Sequence, residues 1–139
     1  MRRQPVTTSP SSGVATSISL PADARSAGRA RAFVGQYCAS VGLGGEVRRT
    51  AALLVSELVT NAIVHGRSGA AVDASLAANG VLRVAVTDDD PAPLPAVERQ
   101  PRTTAEGGRG LLIVSLLATR WGVASPVGGG KAVWFELDS

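Results

Sequence analysis

The sequence predicts an α/β fold: a two-layer sandwich in which a mostly antiparallel mixed sheet is covered on one face by two long helices and one short helix. Three observations predict it. The elements read in the order β-α-α-β-β-loop-α-β-β. The strand connections at 79–80 and 126–130 are short, which only antiparallel neighbours allow. The helical pattern over 46–65 is apolar around most of its circumference, so that helix must lie buried against other elements.

Each element has its own signal. Residues 1–13 are rich in Ser, Thr, Pro and Arg and read as a disordered N-terminal tail, which leaves 14–139 as one domain. Val14, Thr16, Ile18 and Leu20 alternate as a first strand. Pro21-Ala22-Asp23 opens a helix, because proline suits a first turn. Its face is Ala27, Ala30, Phe33, Val34 and Tyr37, and it stops near Gly42. After a turn at Gly44-Gly45 the 46–65 helix runs to a glycine stop at Gly66.

Residues 69–78 alternate again, with Val72, Ala74 and Leu76 on one face and Ala71, Asp73, Ser75 and Ala77 on the other. Asn79-Gly80 is a strong hairpin signal. The returning strand carries Val81, Leu82, Val84 and Val86 and runs into Thr87-Asp88. Residues 89–109 hold four prolines and a glycine pair and read as a long loop, of the kind that serves as a lid. Gly110 to Ala118 is a short apolar helix, 120–124 a strand, 126–130 a turn and 131–137 a closing strand.

Composition excludes several classes. Hydrophobic residues make up 45% of the 139, enough for a core, but aromatics only 4%, so that core is built of Leu, Val, Ile and Ala. The net charge of +3 is a small excess of 14 basic over 11 acidic residues. No basic run of five exists and no aromatics interleave the arginines, so nucleic acid is not an expected partner. Cys38 is the only cysteine, which rules out an intrachain disulfide and a paired-cysteine metal site and fits a reducing compartment. No apolar run is long enough for a membrane span, and Met1-Arg2-Arg3 leads into polar residues rather than a secretory signal. The expectation is a soluble, cytoplasmic protein with no membrane partner.

The candidate site begins with Ser56-Glu57-Leu58-Val59-Thr60-Asn61-Ala62-Ile63-Val64-His65-Gly66. Glu57, Asn61 and His65 are four residues apart and climb one side of a helix that is otherwise apolar. Buried polar groups need a partner, a ligand or a cavity. A carboxamide oxygen is a hard neutral ligand suited to Mg²⁺, and a glutamate one turn earlier can hold a water or accept a hydroxyl proton. Either residue could instead serve as a cap or an interior hydrogen-bond partner. His65 is the only histidine and reads as the structural end of this helix rather than a catalytic base.

Three further segments qualify. Asp88, at the end of an apolar strand, can accept from a ligand amine, or simply make a strand-end turn. Glu106-Gly107-Gly108-Arg109-Gly110-Leu111 precedes an apolar helix. Glycines there permit close backbone approach, helix N-terminal amides attract an anion, and Arg109 offers a guanidinium to phosphate oxygens; a flexible linker is the alternative. Gly128-Gly129-Gly130-Lys131-Ala132 lacks the first glycine and the Ser/Thr of a phosphate-binding loop and reads as a hairpin turn.

Taken in order, Glu57-x-x-x-Asn61, then Asp88 at a strand end, then a lid, then Gly108-x-Gly110-Leu111 at a helix start resembles the Bergerat ATP-binding fold of histidine kinase-like ATPases. Glu57-Leu58-Val59-Thr60-Asn61-Ala62-Ile63-Val64-His65-Gly66, Gly107-Gly108-Arg109-Gly110-Leu111 and Lys131-Ala132-Val133-Trp134-Phe135-Glu136-Leu137 are most similar to the stand-alone anti-sigma-factor serine/threonine kinases of actinobacteria. The likeness spans roughly 14–137. It implies ATP and Mg²⁺ as ligands, with Asn61 on the metal, Glu57 as general base and Asp88 accepting from the adenine amine. It places His65, Gly108, Arg109, Gly110 and Leu111 around the nucleotide. Implied partners are a small STAS-like anti-anti-sigma protein, phosphorylated on a serine, and a sigma factor; a homodimer is left open. A non-catalytic, nucleotide-dependent module that sequesters a protein is the alternative. The chain departs from the family in three places: Asp89-Asp90-Pro91 follows Asp88 instead of Gly-x-Gly, Ala132 stands where the closing strand often has Thr, and Glu106 or Gly107 replaces an arginine.

Overall fold

The structure, a computed structural model, describes residues 15–66, 69–88, 107–125 and 130–139. The elements are β1 (Thr16–Leu20), α1 (Ser26–Ser40), α2 (Gly45–Asn61), a π turn (Ala62–Gly66), β2 (Ala70–Leu76), β3 (Val81–Asp88), α3 (Gly107–Leu117), β4 (Arg120–Ala124) and β5 (Lys131–Asp138). The five strands form one sheet in the order β1-β2-β3-β5-β4, and every pairing in it is antiparallel. The predicted two-layer α/β class is the observed one.

Alternation decides which face of the sheet is covered. Val72 and Ala74 of β2, Leu82, Val84 and Val86 of β3, and Val133, Phe135 and Leu137 of β5 all point to the helices. They meet Ala30, Val34 and Cys38 of α1, Leu54, Val55, Leu58 and Val59 of α2, and Leu111 and Val114 of α3. Burial raises the pKa of the Cys38 thiol. The opposite face is polar. There Arg83 lies over the Trp134 ring at 4.2 Å, while Arg83 and Arg120 both bind Glu136 and Arg120 also binds Asp138. Trp134 lies across Gly122, where a Cβ would stand 2.7 Å from the ring.

Three boundaries differ from expectation. The first helix starts at Ser26, not at Pro21. Asp23 turns the chain first, its carboxylate accepting from the Arg25 amide at 2.7 Å and from the Arg25 guanidinium at 3.1 Å. Those bonds hold the Asp23 pKa down at about 2. The Ser26 hydroxyl then donates to the Pro21 carbonyl at 2.7 Å. The site helix does not end in a simple glycine stop, because Ala62–Gly66 widen into a π turn. The third helix begins three residues early, at Gly107, so 107–109 are helix rather than loop. Of the proposed lid at 89–109 the part 89–106, of the turn at 126–130 the part 126–129, and all of the tail at 1–13 lie outside the described residues.

The Asn79-Gly80 hairpin forms as expected. The Gly80 amide donates to the Ala77 carbonyl at 2.9 Å, and Gly80 adopts a φ of 89°, which glycine tolerates at little cost.

Gly69, ahead of β2, passes close to the end of β1. A Cβ on it would run into the Leu20 carbonyl oxygen, so two backbones would have to separate. Gly69→Ala is expected to lower stability by about 1–3 kcal/mol, as overpacking does. Urea unfolding measures it. Gly35→Ala, whose added Cβ meets nothing closer than 3.8 Å, is the control and should be neutral or slightly stabilising, since alanine is the better helix former.

Candidate functional site

Helix α2 sets the site, and the structure sorts its polar arc into two groups. Ser56 is buried, and its hydroxyl donates to the Leu53 carbonyl at 2.8 Å. Thr60 is exposed, and its hydroxyl donates to the Ser56 carbonyl at 2.8 Å. Both are satisfied within their own helix. Glu57 and Asn61 are half-buried and face the start of α3.

Gly110 is where they converge. A Cβ built on it would stand 3.4 Å from the Glu57 carbonyl oxygen, 3.5 Å from Glu57 Oε1 and 3.6 Å from Asn61 Oδ1. A methyl would fit at those distances but would fill the gap between both polar groups and the helix start. The residue is buried. Its neighbours Leu111 and Val114 are fully packed in the core and fix the rest of α3. The first four amides of any helix lack acceptors within it. In α3 those include the amides of Gly107, Gly108 and Arg109. A carboxylate, a carboxamide and a set of unpaired helix amides therefore share one end of the helical layer.

Asn61 is the last α-helical residue before the π turn, which carries His65 and packs against β3. Single π turns inside helices often mark functional positions, since they re-aim the residues that follow.

Asp88 closes β3 on its buried face, in phase with Leu82, Val84 and Val86, and is only 7% exposed. Sequence reasoning missed its partner. Lys131, first residue of β5, is directly opposite it, with Nζ 3.5 Å from Asp88 Oδ1. The two side chains are 11% and 9% exposed. The readable signal was phase: Lys131 alternates with Val133, Phe135 and Leu137, all inward. The structure thus brings together Glu57, Asn61, Gly110 and Leu111 at the α2–α3 contact, and Asp88 and Lys131 at the β3–β5 end. The backbones of Gly108 and Arg109 lie in the first turn of α3.

The residues present fit a nucleotide. Gly110 keeps a side chain out from between Glu57 Oε1 and Asn61 Oδ1, anion-seeking amides stand beside it, and a buried carboxylate ends β3. Among the described residues no three His, Cys, Asp or Glu side chains come together, so no protein-only metal cage is present there.

Residues 20–137 match the family model of the histidine kinase-like ATPase domain. The chain belongs to that family. An uncharacterized protein of Streptomyces coelicolor is 38% identical over 71 residues, covering 50% of this chain and 68% of that one. In structure, the chain is similar to the RsbU and RsbW domains of a Mycobacterium tuberculosis protein, with a TM-score of 0.68 and 22% identity over 89% of this chain and 32% of that one. That likeness establishes the shared fold. Full-length ShkA in complex with AMPPNP matches at a TM-score of 0.52 and 26% identity, over 65% of this chain and 21% of that one. The chain thus spans a third or less of either solved chain. Among the described residues no helix is long and apolar enough to cross a membrane.

Proposed function

We propose that this ATP-binding domain is a regulatory protein serine/threonine kinase of the anti-sigma type. Its substrate would be a serine on a small STAS-like anti-anti-sigma partner, and its second partner a sigma factor that it sequesters. The observation that carries the reading is the convergence of Glu57 Oε1 and Asn61 Oδ1 on Gly110 at the start of α3. Family membership and the fold shared with an RsbW domain support it.

The proposed roles are these. ATP with Mg²⁺ supplies the transferable phosphoryl group. Asn61 offers a neutral oxygen to a Mg²⁺ that keeps waters and phosphate oxygens as its other ligands. The free first-turn amides of α3 around Gly108 bind phosphate, and Arg109 offers a guanidinium to the same anion. Asp88 accepts from the adenine amine. Glu57, one turn before Asn61, orients the serine hydroxyl and takes its proton.

Two measurements test this. At 100 times its Kd, ATP with Mg²⁺ is expected to stabilise the fold by about 2.7 kcal/mol, read as a thermal shift that vanishes when ATP is left out. Labelled phosphate should then pass from ATP to a serine of a STAS-like partner. No thermal shift and no calorimetric heat at millimolar ATP sinks the nucleotide reading. ATP-dependent partner binding with no transfer sinks the kinase and leaves the sequestering module, a reading that the missing arginine before Gly108 favours.

A further inference from the structure

We infer that Lys131 is a second base-reading residue, a donor that works with the acceptor Asp88 to select adenine. The inference rests on the nucleotide site proposed above and deepens it. The observation is the buried pair itself. Lys131 Nζ stands 3.5 Å from Asp88 Oδ1, both side chains are about nine-tenths buried, and their strands hold them directly opposite.

The geometry gives one buried acceptor and one buried donor side by side. The outer edge of adenine presents the complementary pattern: an amine donor flanked by ring nitrogens that accept, N1 on one side and N7 on the other. A carboxylate alone can take only the amine. An ammonium held beside that carboxylate reaches the ring nitrogen next to the amine. Lysine carries three donors and no acceptor, so it can bind Asp88 and still offer a proton to the base. Guanine places a carbonyl where adenine has its amine and an N–H where adenine has N1, so the same pair would have to shift to bind it. A site built of buried polar groups rejects the ligand that leaves them unpaired. Lys131 also suits the local sequence. Ala132, its neighbour, points to the other face of the sheet opposite Thr87 and contributes nothing polar to this end of β5.

The test is a binding cycle between protein and ligand. Kd values are measured by calorimetry for ATP, 1-deaza-ATP, 7-deaza-ATP and GTP, with wild type, Lys131→Met and Lys131→Gln. Wild type should bind one of the two deaza analogues about tenfold more weakly than ATP, about 1.4 kcal/mol. Lys131→Met should bind that analogue and ATP equally, and should discriminate less against GTP. Lys131→Gln keeps a donor without the charge and should recover part of the tenfold difference. Because ligands are compared within each protein, a general loss of stability in one variant cancels.

Adenosine serves as a probe without phosphates and should lose affinity along with ATP in Lys131→Met. If adenosine is unaffected while ATP weakens, Lys131 serves phosphate and the inference falls. If wild type and Lys131→Met show the same penalty for both deaza analogues, it also falls, and the nucleotide site itself stands. If wild type binds no ATP, the site reading fails and takes this inference with it.

Discussion

Glu57→Gln should slow phosphate transfer to the partner serine by about 10² to 10⁴, the usual contribution of a positioned general base. Glutamine keeps the size of the side chain, and its oxygen can still face Gly110. It cannot take a proton. In the structure Glu57 Oε1 points to the start of α3, where the phosphates would lie, and sits one helical turn before Asn61. ATP affinity should therefore change little, while single-turnover transfer collapses. Asn61→Ala should behave differently and weaken ATP binding in Mg²⁺, because it would remove the proposed metal ligand. Quench-flow with labelled ATP and calorimetry on the same proteins separate the two. Transfer by Glu57→Gln at the wild-type rate would end the base assignment and leave the fold intact.

The sequence made much of this arrangement legible, for reasons that differ between residues. Glu57 and Asn61 were readable because a four-residue spacing on a helix apolar elsewhere leaves few places for polar groups to go. The inward faces of β2, β3 and β5 were readable because their side chains alternate strictly and one side is buried. The glycine run reads as a phosphate-type turn ahead of a helix at Gly110, whereas the helix already starts at Gly107. Gly107, Gly108 and Arg109 are poor local evidence of helix, and the buried Leu111 and Val114 pull the pattern inward from the C-terminal side. The π turn carried no local signal in the sequence, since Ala62-Ile63-Val64 continues an ordinary helical pattern.

Lys131 shows where motif reading can mislead. Gly128-Gly129-Gly130-Lys131 failed as a phosphate loop, and the lysine was set aside with the turn. Its phase in the strand already placed it inward, as did the phase of Asp88. What the sequence did not provide was the register. The pairing of 88 with 131 is fixed by β3–β5 contacts formed over 43 residues of chain, and no local pattern specifies which inward residues meet.

That register has a consequence for stability. Asp88→Ala is expected to cost about 3 kcal/mol, at the lower end of the usual penalty for removing one partner of a buried ion pair. The loss comes from removing the carboxylate that stands 3.5 Å from the buried Lys131 ammonium. Lys131 is close enough to the surface, at 11% exposure, to turn partly outward, which keeps the figure at the lower end. Replacing both residues should therefore be milder than replacing Asp88 alone. Asp88→Leu/Lys131→Met is expected to recover most of the lost stability in urea unfolding, since apolar side chains suit the inward phase of both strands. It should not recover ATP binding, because neither new side chain can accept from the adenine amine. The two readouts then separate what the pair does for the fold from what Asp88 does for the ligand. A double variant that binds ATP as wild type does would remove Asp88 from the site. A single Asp88→Ala variant as stable as wild type would mean that the Asp88–Lys131 contact holds nothing in place.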